Sequence, residues 1–126
     1  MKTIELDIVF LSYDEPNADL HYADLCNKVP WAKRVHGIKG IDEAHKEAAR
    51  QSETDWVVTV DADNIVDTTF FNTEFDSDQE NLQVVSWLAR NKINGLRYGN
   101  GGLKIWRRSL RFLRVNIRQM ELRVEI

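Results

Sequence analysis

The chain has 126 residues, 43% hydrophobic and 29% charged, with a formal net charge of −3; this is one domain with enough material for a core that depends on neither disulfides nor structural metals. Its single cysteine, Cys26, excludes an internal disulfide and favours a reducing, intracellular setting. No apolar stretch reaches the roughly 18 residues of a membrane span, and acids interrupt the N-terminal run MKTIELDIVFLSYDEP, which excludes a signal-peptide core and makes the cytoplasm the expected location.

Residues 6–12 form an apolar run too short for a helix and read as a buried strand, followed by the turn residues Pro16 and Asn17. Over 18–29, Leu20, Ala23 and Leu25 stand among polar residues, the pattern of a helix that must stop before Pro30. A second strand is expected at about 32–36, closed by Gly37-Ile38-Lys39-Gly40. Ile41, Ala44, His45, Ala48 and Ala49 then fall at i, i+3, i+4, i+7 and i+8, one face of a helix whose alanines let it lie close to a sheet. Residues 55–60 are rich in β-branched and aromatic side chains, which predicts a third strand running directly into Asp61-Ala62-Asp63. Strand, helix, strand, helix, strand implies an α/β fold with a parallel sheet and right-handed crossovers.

Beyond the motif, Phe70 and Phe71 mark an apolar patch, 76–81 a polar loop, and 82–88 another strand. Residues 94–102 are glycine-rich and predict a turn or flexible loop; they match no phosphate-loop or dinucleotide spacing, and a lid, a close backbone approach to substrate and a plain hairpin turn all remain open. Residues 103–106 alternate like a half-exposed strand. The last stretch, 107–126, holds six arginines and two glutamates, a basic tail on an acidic body. It reads either as a solvated amphipathic helix or as a contact surface for nucleic acid or acidic membrane.

Asp61 and Asp63 carry the most chemistry. In extended backbone, residues i and i+2 project to one side, and the carboxyl ends of parallel strands are where open α/β sheets bind ligands. Two adjacent carboxylates oppose each other's ionisation, and Mg2+ or Mn2+ relieves that conflict by sharing hard oxygen ligands between the protein and substrate phosphates. The alternative is a pair of loop or helix-capping aspartates. Ser12, Tyr13, Asp14 and Glu15 leave the same sheet edge: Tyr13 offers a ring for stacking on a base and the acids accept hydrogen bonds, or the stretch is simply a polar loop ending at Pro16. His45 reads as a core histidine or as a group beside a helix N-terminus that favours phosphate, with Lys39 as a nearby point charge. His21 and His36 lack the spacing of a structural zinc site.

Three pieces in this order resemble the donor-binding half of the GT-A glycosyltransferases, above all those of family 2. They are Ser12-Tyr13-Asp14-Glu15 after the first strand, Gly40-Ile41-Asp42-Glu43-Ala44-His45-Lys46-Glu47-Ala48-Ala49, and Trp56-Val57-Val58-Thr59-Val60-Asp61-Ala62-Asp63. The likeness covers roughly residues 6 to 67. The first loop, Arg34-Val35-His36-Gly37-Ile38-Lys39-Gly40 and the later glycines also resemble a phage-encoded subgroup, for which the host cytoplasm is implied. The resemblance implies a Rossmann-like GT-A nucleotide-sugar-binding fold over residues 1–106, with a mostly parallel central sheet and flanking helices. It implies a nucleotide-sugar donor such as a UDP-sugar, with Mn2+ or Mg2+ on the diphosphate. Ser12, Tyr13 and Glu15 would hold the nucleoside, with Lys39 and His45 near the base or diphosphate. Asp61 would lie near the ribose or sugar and on the metal, and Asp63 would be its stronger ligand.

The chain departs from the family at Asp14, where asparagine is usual, at Leu11, where proline is often found, and at His45-Lys46, which stand for an Arg-Asn pair. Only 63 residues follow Asp63, too few for the usual acceptor half, so a truncated gene or a minimal variant is expected and no catalytic base is assigned. The acceptor stays open; a modified DNA base is one candidate, with the arginine tail on phosphates. The competing reading is a non-catalytic nucleic-acid-binding protein working through residues 107–126. A sugar nucleotidyltransferase would want a glycine-rich basic first loop, and a haloacid-dehalogenase-type phosphatase would carry its Asp-x-Asp after the first strand, so both fit less well.

Overall fold

The structure, a computed structural model, describes residues 2–74, 84–90, 97–108 and 121–124. In chain order they form β1 (Asp7–Ser12), α1 (Ala18–Lys28), β2 (Lys33–His36), α2 (Ile41–Gln51), β3 (Trp56–Asp61), β4 (Val84–Arg90), β5 (Arg97–Arg107) and β6 (Glu121–Val124), with 3-10 turns at Thr3–Glu5 and Thr68–Asn72. The helix α1 stops at Val29, whose backbone is extended because Pro30 follows, and Lys28 in its last turn is ion-paired with Asp24 at 2.6 Å. Gly40, at φ +95°, turns the chain into α2, whose first turn carries Asp42 and Glu43 and whose last carries Arg50, charges that suit the helix dipole.

The strands make one six-stranded sheet in the order β2-β1-β3-β5-β4-β6. β1 pairs parallel with β2 and β3, β5 runs antiparallel to β3 and β4, and β6 is parallel to β4. Five of these described strands therefore share one direction and β5 alone opposes them. The α/β class with a mostly parallel sheet and flanking helices follows.

Period-two burial along the strands divides the core between the two sheet faces. Ile8 and Phe10 of β1 and Val58 and Val60 of β3 pack with Leu25 of α1 and with Phe70. Val9 and Leu11, with Val57 and Trp106, pack on the other side under Ala48 and Ala49 of α2. Full burial of a side chain such as Ile8 or Phe10 contributes about 1.5–3 kcal/mol, so this alternation is what fixes the register.

Two expectations for the second half are corrected. From Arg97 onward the glycine-rich stretch is not a turn but the start of β5. Glycines in a strand often mark a bulge, and here residues 99–102 fall at the register shift of the β4 pairing, between Tyr98, opposite Ala89, and Leu103, opposite Trp87. Residues 103–106 are not half-exposed: Leu103, Lys104, Ile105 and Trp106 are all buried, because β5 lies inside the sheet. Within the basic segment 107–126, Glu121–Val124 pairs with β4 as β6. The expected polar loop at 76–81 and residues 94–96 lie outside the described residues, as do 109–120.

Candidate functional site

Parallel pairing brings the carboxyl ends of β2, β1 and β3 side by side: Ser12 is in register with His36, and Leu11 with Asp61. Everything that leaves these three strands emerges at one edge, where open α/β sheets bind ligands.

At the β1–β2 end lies a cleft of about 470 Å3 lined by Tyr13, Glu15, Asp19, Arg34 and His36 among others. Arg34 organises it. The guanidinium lies over the rings of Tyr22 and Phe10, 5.4 and 5.8 Å from their centroids. Its Nε donates to Ser12 Oγ at 2.9 Å and its Nη1 to Asp19 at 2.8 Å. An arginine only donates, so Ser12 Oγ accepts from Arg34 Nε, and His36 Nδ1, 3.3 Å from Arg34 Nη2 and 2.7 Å from Ser12 Oγ, accepts as well. Ser12 therefore turns its own hydrogen to His36 Nδ1. Tyr22 hydrogen-bonds the Ala32 carbonyl, and its burial, reinforced by Cys26, raises its phenol above the ordinary value despite the opposing charge of Arg34.

The loop out of β1 folds back on itself: the backbone N–H of Tyr13 donates to both oxygens of Glu15, at 2.6 and 3.0 Å. The Glu15 carboxylate therefore shapes the loop as well as facing the cleft, and the Tyr13 ring is left half exposed.

At the β3 end the strand stops at Asp61. The extended geometry expected to aim Asp61 and Asp63 to one side gives way to a turn, closed by the Asn64 N–H on the Asp61 carbonyl at 3.0 Å. The Asn64 side-chain amide donates to Asp63 Oδ1 at 2.8 Å. Asp63 is exposed and Asp61 half-buried. β5 closes over this turn through Gly102, where a Cβ would lie 2.8 Å from Asp61 Oδ2 and 2.6 Å from Asn64 Nδ2. From the other side, α1 supports it: His21 Nδ1 is 2.7 Å from the Ala62 carbonyl.

The predicted residues are thus gathered unevenly. Tyr13 and Glu15 line the cleft, and Ser12, buried, reaches it only through its bonds to Arg34 and His36; Asp61 and Asp63 share the neighbouring turn, which does not line that cleft. Lys39 is exposed on the loop between β2 and α2. His45 is 4% exposed and lies against Trp106, ring centroids 5.7 Å apart, inside the core under α2. The contributions of Arg34, Asp19, His36, His21 and Gly102 were not singled out by sequence reasoning. For Arg34 and His36 the signal was there: Arg34-Val35-His36 puts both on one strand face by period two.

The donor set at the turn consists of two aspartates, hard oxygens suited to Mg2+ or Mn2+. Among the described residues no group of three or more His, Cys, Asp and Glu side chains is arranged to enclose an ion. A pair of carboxylates fits an ion that completes its shell with substrate phosphate and water better than one held by protein alone. No helix among the described residues is long and apolar enough to cross a membrane. No protein-family model, curated protein or solved structure matches the chain.

Proposed function

We propose that this chain is the donor-binding part of a metal-dependent glycosyltransferase with a Rossmann-like GT-A fold, taking a nucleotide-sugar, by preference a UDP-sugar. One observation carries the reading: the Arg34-centred cleft and the Asp61–Asp63 turn emerge side by side from the same carboxyl edge of three parallel strands. A nucleoside in the cleft would stack on the half-exposed Tyr13 ring and meet Arg34, His36 and the carboxylates of the first loop. Its diphosphate would extend toward the turn.

Asp61 and Asp63 would hold Mn2+ or Mg2+. When bound, that ion supplies a Lewis acid that offsets the charge on a departing diphosphate. The chain's own contribution is orientation. The Asn64 amide fixes one oxygen of Asp63, and Gly102 leaves Asp61 the space that a larger residue would fill. Lys39, on the adjoining loop, would add positive charge near the phosphates.

Calorimetric titration with UDP and UDP-sugars, with and without Mn2+, tests this directly. Binding is expected to need the metal, and Asp63→Ala should remove that dependence. Nucleotide-sugar binding that is absent altogether, or equally strong without metal in both proteins, would end the proposal.

A further inference from the structure

The helix α1 grips the segment after β3 at two points. His21 Nδ1 lies 2.7 Å from the Ala62 carbonyl, and Lys28 Nζ donates to the Val66 carbonyl at 2.7 Å. Ala18, His21, Leu25 and Lys28 fall at i, i+3, i+7 and i+10, one helix face, and between the two polar contacts Ala62 and Val66 are buried in the same cluster as Ala18 and Leu25. A carbonyl only accepts, so His21 carries its hydrogen on Nδ1 and donates.

The bonded carbonyl belongs to the peptide that joins Ala62 to Asp63. Because that peptide is planar, fixing its C=O fixes the whole unit, and with it the direction in which the Asp63 backbone leaves the turn. The Asn64 N–H to Asp61 carbonyl bond, 3.0 Å, closes the same turn. We infer that His21 is a positioning residue: it sets the Ala62–Asp63 peptide plane and so aims the Asp63 carboxylate. The consequence for metal rests on the reading of Asp63 as a ligand. The effect on the turn does not.

Three variants of the whole chain separate these points. In His21→Asn the side-chain amide nitrogen falls near the place of Nδ1; in His21→Gln it reaches toward Nε2 instead; His21→Leu has no donor. Two measurements are made on each: amide hydrogen exchange at Asn64 without metal, and Mn2+ affinity by titration. Exchange at Asn64 should quicken in His21→Gln and His21→Leu and stay near wild type in His21→Asn. Mn2+ affinity should fall on the order of tenfold in the first two and stay within about threefold in the third. If His21→Leu does not fold, the Asn and Gln pair carries the comparison. Wild-type exchange at Asn64 in His21→Gln overturns the positioning role. A wild-type chain that takes up no Mn2+, with the exchange differences intact, overturns only the metal reading.

Discussion

Gly102 of β5 lies so close over Asp61 of β3 that a Cβ there would stand 2.8 Å from both the Cβ and Oδ2 of Asp61. Its φ of +72° is a second reason for glycine. The register Val60 to Leu103 makes Gly102 the next position along the ladder, opposite Asp61, so the contact is inherent in how β5 pairs with β3. Gly102→Ala therefore meets both a backbone penalty of about 1–2 kcal/mol and a steric one, and Asp61 or Asn64 must move to relieve the latter. A lower melting temperature is expected, with the proposed Mn2+-dependent nucleotide binding lost in the folded protein. An alanine variant that melts and binds like wild type would show that the turn has room to spare.

The first half of the fold was legible because its signals are local. Residues 6–12 and 55–60 have the composition of strands, Pro30 ends α1, and the Ile41 to Ala49 spacing marks α2. Of β5 only residues 103–106 were legible as a strand. Gly99, Gly101 and Gly102 read as a turn, whereas in the fold they carry β5 through the register shift in its pairing with β4, between Tyr98 and Leu103. The site divides in the same way. Spacing singles out Asp61 and Asp63 as candidates, but the turn that Asn64 closes between them has no such local sign. His21 meets a carbonyl 41 residues away, and no local pattern announces such a partner.

Arg34 makes three kinds of contact at once, which distinguishes its contribution from that of its ion pair. Asp19 is 91% exposed, so the pair itself is worth little. The stacking on Tyr22 and Phe10 and the bond to Ser12 are the parts shielded from water. Arg34→Lys keeps the charge but loses the planar fork that reaches Ser12 and Asp19 together. It should cost about 1 kcal/mol of stability and weaken UDP binding, whereas Asp19→Asn should change the melting temperature little. Equal losses in the two variants would mean that the ion pair, and not the stacked guanidinium, holds the cleft.

Asp7, at the opposite edge of β1, ties down the connection between α2 and β3. Burial works against its ionisation, but the N–H groups of Glu53 and Thr54, the Lys33 ammonium at 3.7 Å and the Thr54 hydroxyl outweigh it and hold its pKa below the ordinary 3.8. A carboxyl with a depressed folded-state pKa stabilises the protein above its unfolded value, and that stability is lost as pH falls through the folded value. Wild type should therefore be more stable than Asp7→Asn at neutral pH, and the gap should close progressively below 3.8. Denaturation followed across that range checks the sign; a gap that stays constant with pH would remove ionisation as its cause.

His45 offers a test of how far the family resemblance extends into this chain. The resemblance sets it near the base or diphosphate, in the place of an arginine. In the folded chain it is 4% exposed, on the face of α2 that carries Ala48 and Ala49, with its ring tilted 58° against Trp106. Packing of that kind predicts a stability phenotype. His45→Ala should cost about 2–4 kcal/mol through the cavity left beside Trp106, while the folded protein keeps the proposed binding of nucleotide and Mn2+ at its wild-type level. Melting and calorimetry on the same variant separate the two roles. A collapse in nucleotide affinity at unchanged melting temperature would return His45 to the ligand, and would require α2 to shift when the donor binds.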